Sequence, residues 1–188
     1  MRTTWKPLSN ETKPLTFLLI TLILSLTYLT SNSFGFSESD LQKLKSGEKC
    51  IKCDLSGADL TGAKLSWADL SGADLSGAFL YRANLKGANL TGVKLNRADL
   101  GQANLKEANL KEANLTGVNL TWAKLNGADL TGAVLYDAYL TGAYLTGANL
   151  TGAKLTGVAG LSEEKRNQLA EEKREDLSLW RYLGQLLW

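Results

Sequence analysis

Leucine recurs at every fifth residue, without exception, from Leu55 to Leu155, a run of 21 copies. Two positions before each leucine stands Ala, or Val at Val93 and Val118, with Cys53 in the first copy. The residue between them is mostly Asp, Asn or Lys, and the leucine is followed mostly by Ser, Thr, Asn or Lys and then by Gly, as in Ala58-Asp59-Leu60-Thr61-Gly62. Repetition of this strength is read before any local motif, because it fixes the architecture. A five-residue beat excludes an amphipathic α-helix, since five steps turn each leucine about 140° from the last and no apolar stripe forms. A flat strand is excluded too: side chains alternate faces with period two, so an odd repeat would send successive leucines to opposite sides. Each unit must therefore contain a corner. Ala and Leu face inward on a short extended piece, the polar residue between them faces outward, and the next two residues turn the chain. Gly suits the second turn position because it takes dihedrals that a β-carbon disfavours. Such a chain coils, stacking turn on turn so that backbone groups pair between coils and the leucines close a continuous core.

The pattern Ala, Asp or Asn, Leu, small polar residue, Gly over residues 53–157 resembles that of the pentapeptide-repeat family. The resemblance implies an all-β solenoid, a right-handed quadrilateral β-helix with four units per coil. On that basis the 21 leucines make about five coils, and the rod is about 25 Å long at the roughly 4.8 Å spacing of paired strands. Burying each leucine is worth about 1.5–3 kcal/mol, so folding alone explains the repeats. No function is assigned to any single leucine, alanine or turn glycine.

The flanks differ in composition. Arg2, Lys6 and Lys13 precede an uncharged stretch from Pro14 to Ser37 that is mostly Leu, Ile, Phe and Thr as far as Leu29. Residues 1–36 read as a signal peptide, or as a membrane anchor whose hydrophobic helix runs through residues 15–30. Either one sends the repeats to the non-cytoplasmic side, because the positive charges come first. Over residues 37–52, Ser37 or Ser39 as N-cap with Leu41 and Leu44 on one side predicts a short capping helix. Over residues 158–188, Ser162-Glu163-Glu164 opens a second helix with an acidic first turn. Both ends need cover, since a bare coil exposes unpaired backbone and a leucine-lined cross-section. The segment Leu177–Trp188, with Trp180, Leu187 and Trp188, holds more apolar residues than one capping face uses. That surplus points to a protein partner, a homodimer contact or a membrane surface.

The chain has no histidine, which removes the usual general base near neutral pH and the commonest metal ligand. No nucleophile and base pair, phosphate-binding Gly loop or carboxylate dyad stands outside the repeat register. The expectation is a protein that is not an enzyme, with no catalytic, cofactor-binding or metal residues. Cys50 and Cys53 are flanked by Lys49 and Lys52, which could lower a thiol pKa toward redox activity. Cys50 falls in the leucine register and Cys53 in the alanine register, however, so both should point inward. Export would favour a disulfide stapling the N-terminal cap to the first coil; reduced core thiols and a redox or metal pair are the alternatives.

Outward positions that break the consensus are Trp67, Phe79, Tyr81, Trp122, Val134, Tyr136, Tyr139 and Tyr144. With residues twenty apart stacked, Phe79 and Tyr139 share a side, and Tyr136, Tyr139 and Tyr144 gather in one late coil as a candidate partner surface. Tyr and Trp also suit an extended outer face for its own sake. Between Asp54 and Gly157 nine acidic residues balance nine basic ones. Some family members resemble duplex DNA and act on type II topoisomerases as mimics; a neutral surface and an export segment both stand against that alternative, and against a nucleic-acid partner. The expected function is a non-enzymatic structural or protein-binding scaffold outside the cytoplasm. It would be similar to the exported pentapeptide-repeat proteins abundant in cyanobacteria, in a periplasm or thylakoid lumen.

Overall fold

The computed structural model describes residues 35–165, 167, 168 and 171. The hydrophobic segment 15–30 and the C-terminal residues Trp180, Leu187 and Trp188 lie outside the described residues. Among the described residues no helix is long and apolar enough to cross a membrane.

Parallel bridges join each outward residue to the one twenty positions on, from Asp54 with Asp74 to Tyr139 with Ala159. Twenty residues at five per unit make a coil of four units. Among the described residues the pairing consists of isolated bridges and not strands, which corrects the all-β expectation in one respect. A corner every fifth residue leaves one outward residue per side to pair before the chain turns again.

The backbone bonds show why the repeat has its composition. In the unit around Leu75, the Leu75 N–H donates to the Lys94 carbonyl at 2.7 Å and the Gly77 N–H to the Asn96 carbonyl at 2.8 Å, both in the next coil. The Asp74 N–H donates back to the Cys53 carbonyl at 2.8 Å, and the Ala78 N–H closes the corner on the Leu75 carbonyl at 3.0 Å. One N–H remains, that of Ser76, and it donates to the Asp74 side-chain Oδ1 at 3.0 Å. The same short-range bond recurs from Thr61 to Asp59, Thr91 to Asn89, Thr121 to Asn119 and Thr151 to Asn149. Asp and Asn place a strong acceptor at that reach, so the outward position serves the backbone of its own corner.

At the second turn residue φ is positive in every unit, near +65° at Gly62, Gly72 and Gly77. Lys52, Trp67, Arg82, Arg97, Gln102, Glu107, Glu112, Trp122 and Asp137 adopt the same left-handed conformation, with φ between 54° and 63°. A side chain there costs about 1–2 kcal/mol.

The leucine and alanine columns form one buried cluster, and among the described residues it contains no buried polar or charged residue. The helix α1, Glu38–Lys45, lies at its N-terminal end, with Leu41 and Leu44 buried in the same cluster as Cys50, Cys53 and Leu55. Ser37 caps α1, accepting from the Asp40 N–H, and Glu38 and Asp40 in the first turn and Lys43 and Lys45 in the last complement its dipole. The Ser37 N–H donates to the Asp54 carbonyl at 3.0 Å and the Asp54 N–H to Asp40 Oδ2 at 3.0 Å. The inter-coil ladder starts at Cys50, whose N–H donates to the Asp69 carbonyl at 2.9 Å. Beyond Gly160 the chain enters a helical turn at Glu163, where Ser162 Oγ accepts from the Lys165 N–H at 3.2 Å.

Two outcomes follow for stability. The hydroxyl and N–H of Thr131 hold the Asp129 carboxyl below its ordinary value, the Ser71 hydroxyl does the same at Asp69, and the Asp54 N–H does so at Asp40. Depressed folded-state values give stability that is present above the unfolded pKa, near 3.8, and is lost as pH falls through the folded values. Urea midpoints should therefore hold near pH 6 and fall as the pH drops from about 5 to below 3; an unchanged midpoint would remove these carboxylates from the fold's support. At the corners, Glu112→Gly should raise the unfolding free energy by up to about 1 kcal/mol and Gly92→Ala should lower it by about 1–2 kcal/mol, as read by chemical denaturation.

Candidate functional site

The bridges stack Asp59, Phe79, Asp99, Asn119, Tyr139 and Ala159 in one column along one side of the coil. The corners leading into this side carry Tyr136, and those leading out of it carry Tyr81 and Trp122. Tyr144 stands on the following side, bridged to Lys124, and Val134 on the preceding one, bridged to Asn114 and Lys154. Of the three tyrosines singled out from the sequence, Tyr136 and Tyr139 thus share one side of a single coil, and Tyr144 lies around the next corner. Phe79 and Tyr139 occupy the same column with Asp99 and Asn119 between them. Trp67 sits apart, on the corner before the Asp69 column. Phe79 is 54% exposed, Trp122 53%, Tyr139 54% and Tyr144 50%, so about half of each side chain remains open to a partner.

The left-handed corners set where the large side chains go. The Trp122 ring lies over Gly142, twenty residues on, where a β-carbon would stand 2.5 Å from the indole. The Trp67 ring covers Gly87 in the same way, and the Arg97, Glu107 and Glu112 stems lie over Gly117, Gly127 and Gly132. A corner side chain runs along the axis toward the next coil and fills the space its glycine leaves. Arg82 is followed by Gln102 instead, and there the Arg82 Nε donates to Gln102 Oε1 at 2.9 Å. The Arg82 guanidinium also stands 5.1 Å from the Tyr81 ring centroid, a cation–π contact. Gly101 takes a corner position where the other units carry a side chain, and a β-carbon there would stand 3.2 Å from the Tyr81 ring and 3.1 Å from Asp99 Oδ1. Beside it the Asn119 Nδ2 donates to Asp99 Oδ1 at 2.8 Å. Trp122 and Tyr81 break the consensus in the sequence, but the linear order does not show what lies beneath them. Their signal is a glycine twenty residues after a bulky corner residue, visible once the chain is written in rows of twenty.

Cys50 and Cys53 stand at disulfide distance, with Cα atoms 5.2 Å apart and both side chains buried. They flank a single corner, where the Cys53 N–H donates to the Cys50 carbonyl as Ala does to Leu in other units. The pair therefore closes the corner at which the segment 37–52 enters the first coil, and the Ser37, Asp40 and Asp54 bonds also hold α1 to that coil. Along the sides, Lys94 pairs with Asp74 at 3.2 Å, Lys111 with Asp129 at 3.2 Å and Lys86 with Glu107 at 3.7 Å. Exposed pairs of this kind contribute about 0–1 kcal/mol each, but they cancel charge locally.

The Trp122 contact predicts an outcome. Gly142→Ala should displace the indole, changing tryptophan emission and lowering stability by about 1–2 kcal/mol, and the emission change should vanish in a Trp122→Phe background. Emission that responds equally in both backgrounds would mean that Trp122 does not rest on Gly142.

The family model for pentapeptide repeats matches residues 49–77, 83–121, 94–132 and 119–157 in eight copies. A crystal structure of a pentapeptide repeat protein from the cyanobacterium Cyanothece 51142 is 33% identical, covers 66% of this chain and 95% of its own, and superposes with a TM-score of 0.50. A pentapeptide repeat protein from Nostoc PCC 7120 is 47% identical over 40% of this chain and 62% of its own, with a TM-score of 0.40. One from the Arabidopsis thaliana thylakoid lumen is 35% identical over 63% of this chain and 74% of its own, with a TM-score of 0.36. No curated protein matches the chain. The family match spans more than half of the sequence, and the twenty-residue ladder supplies the coil that such repeats build. The chain belongs to the pentapeptide-repeat family, as a right-handed β-helical solenoid.

Proposed function

We propose that the chain is a non-enzymatic scaffold that binds a protein through its aromatic side, on the non-cytoplasmic side of a membrane. The observation that carries this reading is the gathering of half-exposed rings, Phe79, Trp122 and Tyr139 above all, on one side of the coil. Exposed Tyr, Trp and Phe backed by Arg82 have the chemistry of protein interfaces. The rings sit on a backbone whose corners are closed by hydrogen bonds from Ala to Leu, so little conformational entropy would be lost on binding. Tyr136 and Tyr139 form the late-coil end of this surface, Tyr144 extends it around the next corner, and Trp180, Leu187 and Trp188 supply a second contact. Residues 1–36 act as signal peptide or anchor, α1 and the helix that begins at Glu163 cap the solenoid 53–157, and Cys50 and Cys53 are oxidised in the exported protein. Topoisomerase mimicry is the weaker reading, since Asp74, Asp129 and Glu107 each pair with a lysine and cannot pass for a row of phosphates.

Affinity capture from the source organism tests the surface. A Tyr136→Ala, Tyr139→Ala, Tyr144→Ala variant should lose a partner that the wild type and an Asn109→Ala control retain. Identical captures from all three would sink the assignment. Fractionation with N-terminal sequencing should recover the chain outside the cytoplasm; recovery of the intact soluble protein inside it would sink the location.

A further inference from the structure

We propose that the aromatic side is a self-association face, on which a second copy of this chain docks antiparallel about a two-fold axis. This rests on reading that side as a contact surface and names its occupant. The column runs Asp59, Phe79, Asp99, Asn119, Tyr139, Ala159, and it is close to symmetric in chemistry about the gap between Asp99 and Asn119. Laid against a reversed copy of itself, Phe79 meets the second copy's Tyr139 twice over. Asp99 and Asn119, bonded to each other within each copy, face the same pair reversed, and Asp59 meets the small Ala159. An isologous contact of this kind needs a patch that complements its own image, and two-fold dimers are the commonest closed assembly.

The flanking corner fits the same arrangement. Gly101 is buried beside the Tyr81 ring and Asp99, so no corner side chain projects there, and the reversed copy sets Thr121 opposite it. Arg82, already over the Tyr81 ring, falls within about one coil spacing, about 5 Å, of the second copy's Trp122 ring where that ring covers Gly142. A guanidinium reaches that far, and an indole face is its best aromatic partner. Charge does not oppose the contact. The side and its two corners hold Asp59, Asp99 and Asp137 against Arg82 and Arg97, so like charge does not keep two copies apart as it would on a strongly charged face.

Size decides the strength. About five coils at roughly 4.8 Å by about five residues at 3.3 Å gives a plane of about 400 Å² per copy, near half of the roughly 800 Å² per partner in a standard interface. The dimer is therefore weak and reversible, and it forms where the chain is concentrated, as on a membrane surface or in a confined compartment.

Cysteine cross-linking of the full-length chain in detergent micelles tests the geometry, because residues 59 and 159 are both exposed and should lie apart within one chain and together between two. Asp59→Cys and Ala159→Cys single variants, treated with a short bismaleimide, should give at least tenfold more covalent dimer when mixed than either gives alone. Phe79→Ala with Tyr139→Ala in both partners should reduce that yield at least tenfold, with circular dichroism showing an intact solenoid. No dimer in the mixture, equal dimer from the single variants, or a yield insensitive to Phe79 and Tyr139 would each overturn the proposal. If the aromatic variants lose a captured partner but the mixture does not cross-link, the scaffold reading stands and the self-association fails.

Discussion

Every feature of this solenoid depends on the corner between each leucine and the alanine three residues later. The corner satisfies one N–H from the leucine carbonyl and a second from the Asp or Asn side chain, and it admits a left-handed residue at its tip. The remaining donors of each unit then point along the axis, where the neighbouring coils take them up. Buried backbone groups must find partners, and here they can do so only if the coil repeats in register. The leucine column is a consequence of that register as much as its cause. Stacking places leucine on leucine, and the apolar core in turn holds the coils together against the entropy of ordering them.

The ladder has a direction. In the unit around Leu75, two N–H groups donate to the following coil and one donates to the preceding coil. The first coil therefore presents mostly carbonyls at its open edge and the last coil mostly N–H groups. The helix α1 answers the first edge in kind: the Ser37 N–H donates to the Asp54 carbonyl, and the Asp40 carboxylate accepts from the Asp54 N–H. At the other end Leu145 and Leu155 are partly exposed, and their N–H groups find no acceptor among the described residues. The chain passes next to a hollow of about 630 Å³ there, lined by Gly142, Leu145, Gly160 and Leu161 among others. The two ends of such a coil pose different chemical problems, so a cap made for one would not serve the other.

Surface identity is written in the positions the fold leaves free. An outward residue that gives up Asp or Asn, as at Phe79, Val134, Tyr139 and Tyr144, gives up the acceptor for its own corner. A corner tip that gives up glycine, as at Trp67 and Trp122, takes on left-handed strain of about 1–2 kcal/mol. Trp122 offsets part of that by covering the backbone of Gly142. Of these departures, Phe79, Tyr139 and Trp122 fall on or beside one side of the coil, whereas Val134, Tyr144 and Trp67 fall on others.

The five-residue period by itself determined that the chain turns a corner in every unit, that Leu and Ala face inward and that the polar residue faces outward, because no helix or flat strand can hold such a beat on one face. Resemblance supplied the four units per coil, and the bridges between Asp54 and Asp74 and their successors agree with it. What the linear order concealed is long-range along the chain: that Trp122 rests on Gly142 and that Tyr81 leans across Gly101. Neighbours in this fold are twenty residues apart, and only the closed coil, by fixing which side chain lies over which backbone, decides how the outward residues combine into a surface.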